Sequence, residues 1–262
     1  MEDLQADNAR RFGGLQRLYG IEPAQRIQAS HVAVIGIGGV GSWVAEALAR
    51  SGVGAITLVD MDHIAESNVN RQIHALSDTL GMAKVQAMQA RIALINPDCK
   101  VHCIDAFVEP DNWPGLLPRD VTAVVDACDQ VLSKTAMAAW ARRTKLPFVC
   151  VGAAGGKRLG HLVDVADISK VTHDPLLAQV RYRLRKFHGA PKEGKTMGVT
   201  CIYSREAVAP PDASCNLDSD GSLNCHGYGS MVTVTATFGM CAAGALIEII
   251  FASMKESKKL TL

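Results

Sequence analysis

Residues 31–60 read HVAVIGIGGVGSWVAEALARSGVGAITLVD, and this stretch constrains the fold more than any other. His31–Gly36 is a short apolar run closing on glycine, as expected of a buried strand. Val40–Ser51 follows as a helix with small apolar residues to set against a sheet, and Ala55–Asp60 is a second buried strand. Between the first strand and the helix lie Gly36, Gly38, Gly39 and Gly41 in the spacing G-x-G-x-x-G. Glycines there let the backbone approach a phosphate, and the helix N-terminus offers unpaired N–H groups and positive potential. Asp60 ends the second strand about 20 residues on, where a carboxylate can accept from ribose hydroxyls. The bland alternative is a tight turn with a surface acid.

The alternation continues down the chain. Residues 4–29 read as one or two helices with basic faces. Thr79–Ile95 is a helix stopped by Asn96-Pro97. Lys100–Asp105, Val121–Asp126 and Pro147–Val151 are strands, with Val131–Lys145 helical between the last two. Strand and helix in strict alternation predict an α/β fold: a doubly wound, mainly parallel Rossmann-like sheet with helices on both faces. After Gly152 the pattern changes. GAAGG reads as a flexible turn, Gly160–Ile168 as an antiparallel strand, and Asp174–Phe187 as a basic helix started by Asp174-Pro175. Residues 188–198 and 204–230 are Gly-, Pro-, Ser- and Asp-rich and read as mobile loops. This second part is a C-terminal α/β extension of the sheet.

Composition excludes several classes. A net charge of +1 rules out a globally basic nucleic-acid binder while allowing a local patch. The eight cysteines include no C-x-x-C pair, so no zinc site is expected, and they suit a reducing cytoplasm. Residues 231–253 have the length of a membrane span. They are also rich in Thr, Gly and Ala, include Glu248 and run into KESKK. A buried core or interface helix has the same composition, so no stable membrane insertion is expected. Membrane association through 231–253 is the lesser alternative.

The segment SNVNRQIHAL, residues 67–76, does not suit a nicotinamide enzyme. Arg71 lies eleven residues past Asp60, and Lys84 opens the exposed side of the next helix. Two cations near one nucleotide suit a triphosphate, where a forked guanidinium and a point charge stabilise a leaving pyrophosphate. Asp129, in DACDQ past the fourth strand, reaches the same sheet edge and could hold Mg²⁺ on the phosphates. Each alone is an ordinary surface charge; their joint order is what points to ATP.

GIGGVGSWVAEALARSGVGAITLVDMD, SNVNRQ, GMAKV and VVDACD resemble the E1-like superfamily, which includes ubiquitin-activating enzymes and the adenylating enzymes of molybdopterin and thiamine synthesis. The resemblance implies ATP and Mg²⁺ as cofactors, a single ATP-binding domain over 1–262 and transfer of AMP to a carboxylate. It divides the domain into an N-terminal helical arm (1–30), a nucleotide-binding half (31–151) and a substrate-facing half (152–262). It implies that Asp60 and Asp62 bind the nucleotide, Arg71 and Lys84 the phosphates, and Asp129 the magnesium, with Asn68 and Gln72 lining the site. Arg71, Lys84 and Asp129 are the implied catalytic residues. It further implies a homodimer with an arm arginine reaching the ATP. Arg11 matches the first arginine of the family pattern, but Gly14 stands where the second should be, leaving Arg11 and Arg17 both open.

Within the superfamily, the missing zinc pairs and the continuations NRQIHAL, INPDC, THDPL and GVTCIYSREAV resemble the tRNA threonylcarbamoyladenosine dehydratase branch. That implies ATP-dependent dehydration, by cyclisation through an acyl-adenylate, of N6-threonylcarbamoyladenosine at position 37 of tRNA. The alternative is adenylation of the C-terminal Gly-Gly of a ubiquitin-like sulfur carrier. A cysteine-desulfurase or sulfur-relay partner is a further expectation. Arg181, Arg183, Arg185 and Lys186, in RYRLRKFHGAPKEGK with its interleaved aromatics, offer phosphates and bases a place; a solvated helix face needs no RNA. Cys225, beside His226, is the best-placed candidate for a reactive thiol, though a passive thiol is the commoner case.

Overall fold

The computed structural model describes residues 7–192, 194–212, 214 and 228–260, the side chains of 254–260 excepted. Helices α1 (Asn8–Tyr19) and α2 (Ile21–Gln28) precede β1 (His31–Ile35), α3 (Gly41–Arg50), β2 (Ala55–Val59), α4 (Lys84–Ile95), β3 (Lys100–Ile104), β4 (Ala123–Asp126), α5 (Val131–Thr144) and β5 (Phe148–Val151). β6 (Val163–Asp167), α6 (Pro175–Phe187), β7 (Thr200–Ser204) and α7 (Val232–Leu260) complete the chain.

The strands form one seven-stranded sheet in the order β3-β2-β1-β4-β5-β7-β6, with β6 antiparallel to β7 and every other pairing parallel. The chain winds outward from β1 in one direction and from β4 in the other. Their carboxyl ends therefore meet at a topological switch point, where doubly wound sheets bind ligands. Every residue of β1, β4 and β5 is buried, which explains why these strands read as unbroken apolar runs rather than alternating ones. On one face α3, α4 and α7 cover the sheet through Val44, Leu48, Met88, Ile92, Phe238 and Leu246. On the other, α5 and α6 do so through Met137, Ala138, Leu177, Val180 and Leu184.

Three expectations need correction. The helix expected from Thr79 starts at Lys84. Gly81, at φ 81°, interrupts it, and the preceding turn is tied to the post-β2 loop through Gly81 N–H to Ile64 O and Ile64 N–H to Met82 O. β7 was hidden inside a stretch read only for its resemblance; it inserts between β5 and β6, pairing Cys150 with Cys201 and Val163 with Ser204. The GAAGG turn is packed rather than loose: Gly156 N–H donates to Gly229 O and Ala209 N–H to Gly156 O, each 2.8 Å. Its neighbour Lys157 is 2% exposed. Of the loop 204–230, residues 213 and 215–227 lie outside the described residues, and Cys225 with them.

α7 resolves the ambiguity of 231–253. It is long and apolar enough to cross a membrane, but Val234, Phe238, Ala242, Leu246 and Ile250 are buried against α3 and the sheet. A Cβ on Gly239 would lie 2.5 Å from Trp43 Cβ and 2.9 Å from Val40 O, so glycine permits this close crossing. The opposite flank, with Thr233, Met240, Gly244 and Glu248, is exposed. α7 is a core helix with one open side.

Candidate active site

The glycine turn closes tightly on itself. Gly36 has φ 84°, and a Cβ on Gly41 would lie 1.7 Å from Gly36 O. A Cβ on Gly36 would meet Ala127 O and Cys128 N at 3.0 Å, so the loop after β4 abuts the turn. A Cβ on Gly38 would have nothing within 4 Å, so that face is open. α3 starts without a side-chain cap; its Ser42 and Trp43 amides donate instead to Gly38 O at 3.1 Å and Val40 O at 3.0 Å, which folds the glycine turn onto the helix.

Asp60 organises this turn. Its carboxylate accepts Ile37 N–H at 2.6 Å and Asp62 N–H at 2.8 Å. Burial pushes its pKa above the usual carboxylate range, against the pull of Lys84 and those amides. Asp62 is the more accessible carboxylate, its side chain 54% exposed, and it pairs with Lys84 Nζ at 2.6 Å. Lys84 is buried at 6%, contrary to the exposed placement expected from sequence. The helix starts at this residue, and Lys84 N–H bonds to Asp62 O, turning the stem inward.

Arg71 reaches the same turn by a different route. Its Cγ and Cδ lie 3.5 Å from a Cβ built on Gly39, so its stem crosses the turn directly. Its carbonyl accepts Trp43 Nε1–H at 2.9 Å and Thr235 Oγ1–H at 3.2 Å, fixing the backbone from α3 and α7. Nη1 donates to Ser67 O at 2.6 Å and to Asn70 Oδ1 at 2.9 Å, and Asn70 Nδ2 donates to Ser230 O. Buried Asn68 is a brace: its Oδ1 accepts Ala65 N–H, and its carbonyl accepts the amides of Arg71 and Gln72. Gln72 is buried with Oε1 unpartnered. His74 is buried with neither ring nitrogen hydrogen-bonded, and burial, then Lys84 and Arg91, lower its pKa to about 4.

Asp129 is exposed on the loop after β4, its carboxylate 3.4 Å from the neighbouring Gln130 amide. What holds that loop was missed in the sequence. Lys134 and Asp126 form an ion pair of 2.9 Å with both side chains wholly buried, and Lys134 Nζ also donates to Cys128 O. The Cys128 and Cys150 thiols donate to the same Asp126 carboxylate. Burial works against the charge on Lys134, but Asp126 outweighs it and holds the ammonium protonated. A lone lysine in the small-residue helix VLSKTAMAA was the available signal. Burial raises the pKa of Cys99 to about 11 and also pushes up Cys103, Cys128 and Cys241, so these groups stay thiols at neutral pH.

The structure thus brings together Gly36–Gly41, Asp60, Asp62, Arg71, Lys84 and the Asp129 loop. It does not bring the basic strip with them. Arg181 donates from Nη1 to Ile168 O and Val171 O, at 3.0 and 2.8 Å, and Arg185 Nε donates to Pro191 O. Those two guanidiniums brace the backbone through one nitrogen each; Arg183 is half-buried with Nε enclosed, and Lys186 is exposed. Arg11 donates to Ile95 O of its own chain at 2.7 Å, and Arg17 is exposed. A separate cavity of about 440 Å³ opens at the opposite, amino edge of the sheet between Phe12, His31, Asp98, Lys100 and Asp120, remote from these residues.

Known proteins resemble this chain over most of its length. The tRNA threonylcarbamoyladenosine dehydratase of Escherichia coli is 44% identical over 247 residues, 91% of this chain and 92% of that one. The protein of the same name from Haemophilus influenzae is 41% identical over 240 residues, again 91% and 92% of the two chains. The crystal structure of the E. coli tRNA N6-threonylcarbamoyladenosine dehydratase in complex with ATP matches with a TM-score of 0.85 at 43% identity, covering 95% of this chain and 96% of that one. The ThiF family model spans residues 13–261, and the chain belongs to the ThiF family.

Proposed function

We propose that this protein is an ATP-dependent tRNA threonylcarbamoyladenosine dehydratase of the cytoplasm, acting as one domain with arm (1–30), nucleotide half (31–151) and substrate-facing half (152–262). The observation that carries this reading is the meeting of the Arg71 stem, the Lys84–Asp62 pair and the Asp129 loop around one glycine turn. Its support beyond geometry is the likeness to two dehydratases over nine-tenths of the chain.

In this reading Gly36, Gly38, Gly39 and Gly41 let the triphosphate approach the backbone, and Asp60 and Asp62 accept from the ribose. The threonyl carboxylate attacks the α-phosphorus and pyrophosphate leaves, giving the acyl-adenylate. A nitrogen or oxygen of the substrate's ureido group then attacks the acyl carbon and gives up a proton. AMP departs with a former carboxylate oxygen, so the substrate is one water lighter. Ring closure is intramolecular, and positioning replaces a protein nucleophile. Arg71 and Lys84 stabilise the charge building on pyrophosphate. Gln72 and the Asn68-braced loop line the site behind Arg71. Asp129, an exposed carboxylate, suits Mg²⁺, which is commonly held by one or two carboxylates plus phosphate oxygens; bound there it would neutralise phosphate charge. With Arg11 tied to its own chain, Arg17 is the arm residue we assign to a partner's nucleotide in a homodimer.

The test is nucleoside mass spectrometry on tRNA carrying threonylcarbamoyladenosine, incubated with the protein, ATP and Mg²⁺ in an amine-free buffer. A product one water lighter is expected, dependent on ATP and reduced roughly 10²–10³-fold in Arg71→Ala with the fold intact. No mass change with ATP binding intact would overturn the reading and turn attention to a Gly-Gly protein tail.

A further inference from the structure

α6 runs from the site to the far side of the molecule. Its cap, Asp174, accepts Ala153 N–H just beyond β5, at the carboxyl edge. Its other end meets the last turn of α5, where Arg142 donates to His188 O and Met197 O, beside the start of β5 and β7. At 1.5 Å per residue, Arg183 stands roughly 13 Å from Asp174 along the axis, and Lys186 roughly 18 Å.

Arg181 and Arg185 each spend a nitrogen on backbone carbonyls, and beside them lie exposed Tyr182, Lys186 and Phe187 with half-buried Arg183, whose Nε is enclosed without a partner among the described residues. Tyr182 is 54% and Phe187 56% exposed. The Arg183 guanidinium lies 5.3 Å over the Phe187 ring, and Lys186 Nζ lies 5.4 Å from Tyr182 and 5.1 Å from Phe187. Among the described residues neither cation has a carboxylate partner; Glu193, the acid of residues 181–195, lies outside them. Burial and then Arg143, Arg183 and Arg142 lower the pKa of His188, so positive potential concentrates here. A helix C-terminus favours cations by its dipole, but that does not account for two half-exposed rings set among them.

We infer that Arg183 and Lys186, with Tyr182, Phe187 and Arg143 of α5, form a docking surface for the sugar–phosphate backbone of the tRNA stem adjoining the reacting loop. Cations with no carboxylate partner among the described residues, held over flat rings, suit phosphate and sugar contact, the sequence-independent part of RNA binding. The distance assigns it to the stem: an adenosine reacting at the carboxyl edge leaves its own loop there, while the lower end of α6 meets what extends beyond the loop. This rests on the tRNA reading above.

The experiment measures binding of whole tRNA, of an anticodon stem-loop and of a single-stranded loop oligonucleotide across a salt series, for wild type and for the Arg183→Ala/Lys186→Ala double variant of the full chain. For the two stem-containing RNAs, affinity is expected to fall about tenfold and the salt slope by about 1 to 2, one unit or slightly less per lost phosphate contact. The loop oligonucleotide and ATP should bind unchanged. An unaltered slope for tRNA, or an equal loss for the loop oligonucleotide, overturns the inference. A wild type whose tRNA binding depends on this surface, but which releases no dehydrated nucleoside, overturns the proposed reaction and leaves the surface standing.

Discussion

Two cation-rich regions, the rim of the glycine turn and the lower end of α6, are built on opposite plans. At the rim the charges are fixed from behind. Arg71 is held by Trp43 and Thr235 through its carbonyl, Lys84 by Asp62, and the Asp129 loop by the buried Lys134–Asp126 pair. On α6, Arg183 and Lys186 stand over exposed rings with no such clamp among the described residues. The contrast separates two uses of positive charge. Chemistry on a phosphate needs charge preorganised where it develops, whereas gathering a polyanion needs only density.

The contrast can be broken most forcefully at Lys134. Lys134→Met should cost about 3–5 kcal/mol, because it strands the Asp126 carboxylate in the core. Lys84→Met, whose partner carboxylate is half in water, should cost about 1 kcal/mol while reducing turnover. Urea unfolding of the two variants compares them directly; equal losses would mean that the rim is not supported from beneath. Next comes His74. Its pKa is about 4 in the folded state against 6.5 when unfolded. Between those values the unfolded chain takes up a proton that the folded chain refuses, so stability falls as pH drops through this window, by about 3 kcal/mol. His74→Phe should flatten that part of a stability–pH profile, and a profile as steep as wild type would remove burial near Lys84 and Arg91 as the cause. A smaller effect than that of His74 belongs to α6 itself. Arg181→Ala should lose about 1.5 kcal/mol of stability from two carbonyl bonds, with tRNA affinity and salt slope unchanged. A change in slope would return Arg181 to the RNA surface.

Much of the rim was legible because its signals are local. A glycine spacing, a strand-ending acid and an arginine after a short interval are read in order along the chain, and the resemblance to E1-like adenylating enzymes holds at the level of the family. The supports were not legible, because their partners are distant in sequence: Thr235 is 164 residues from the Arg71 carbonyl it bonds. Lys84 was misread for a related reason. A lysine opening a helix is normally solvated, and only the return of the chain at Asp62 gives its ammonium an enclosed partner. The four basic residues of α6 look equivalent in RYRLRKF, yet tertiary contacts engage Arg181 and Arg185 with carbonyls of the residues around them.

Sequence by itself determined the winding of the sheet from β1 to β5, the glycine turn and the family, since apolar periodicity and glycine placement act through short-range sterics and burial. Tertiary structure alone decided where β7 enters the sheet, that α7 serves as core, and which cations face outward. Those outcomes depend on which surfaces and carbonyls remain unsatisfied once the sheet has formed, a condition set across the whole chain rather than within any window of it.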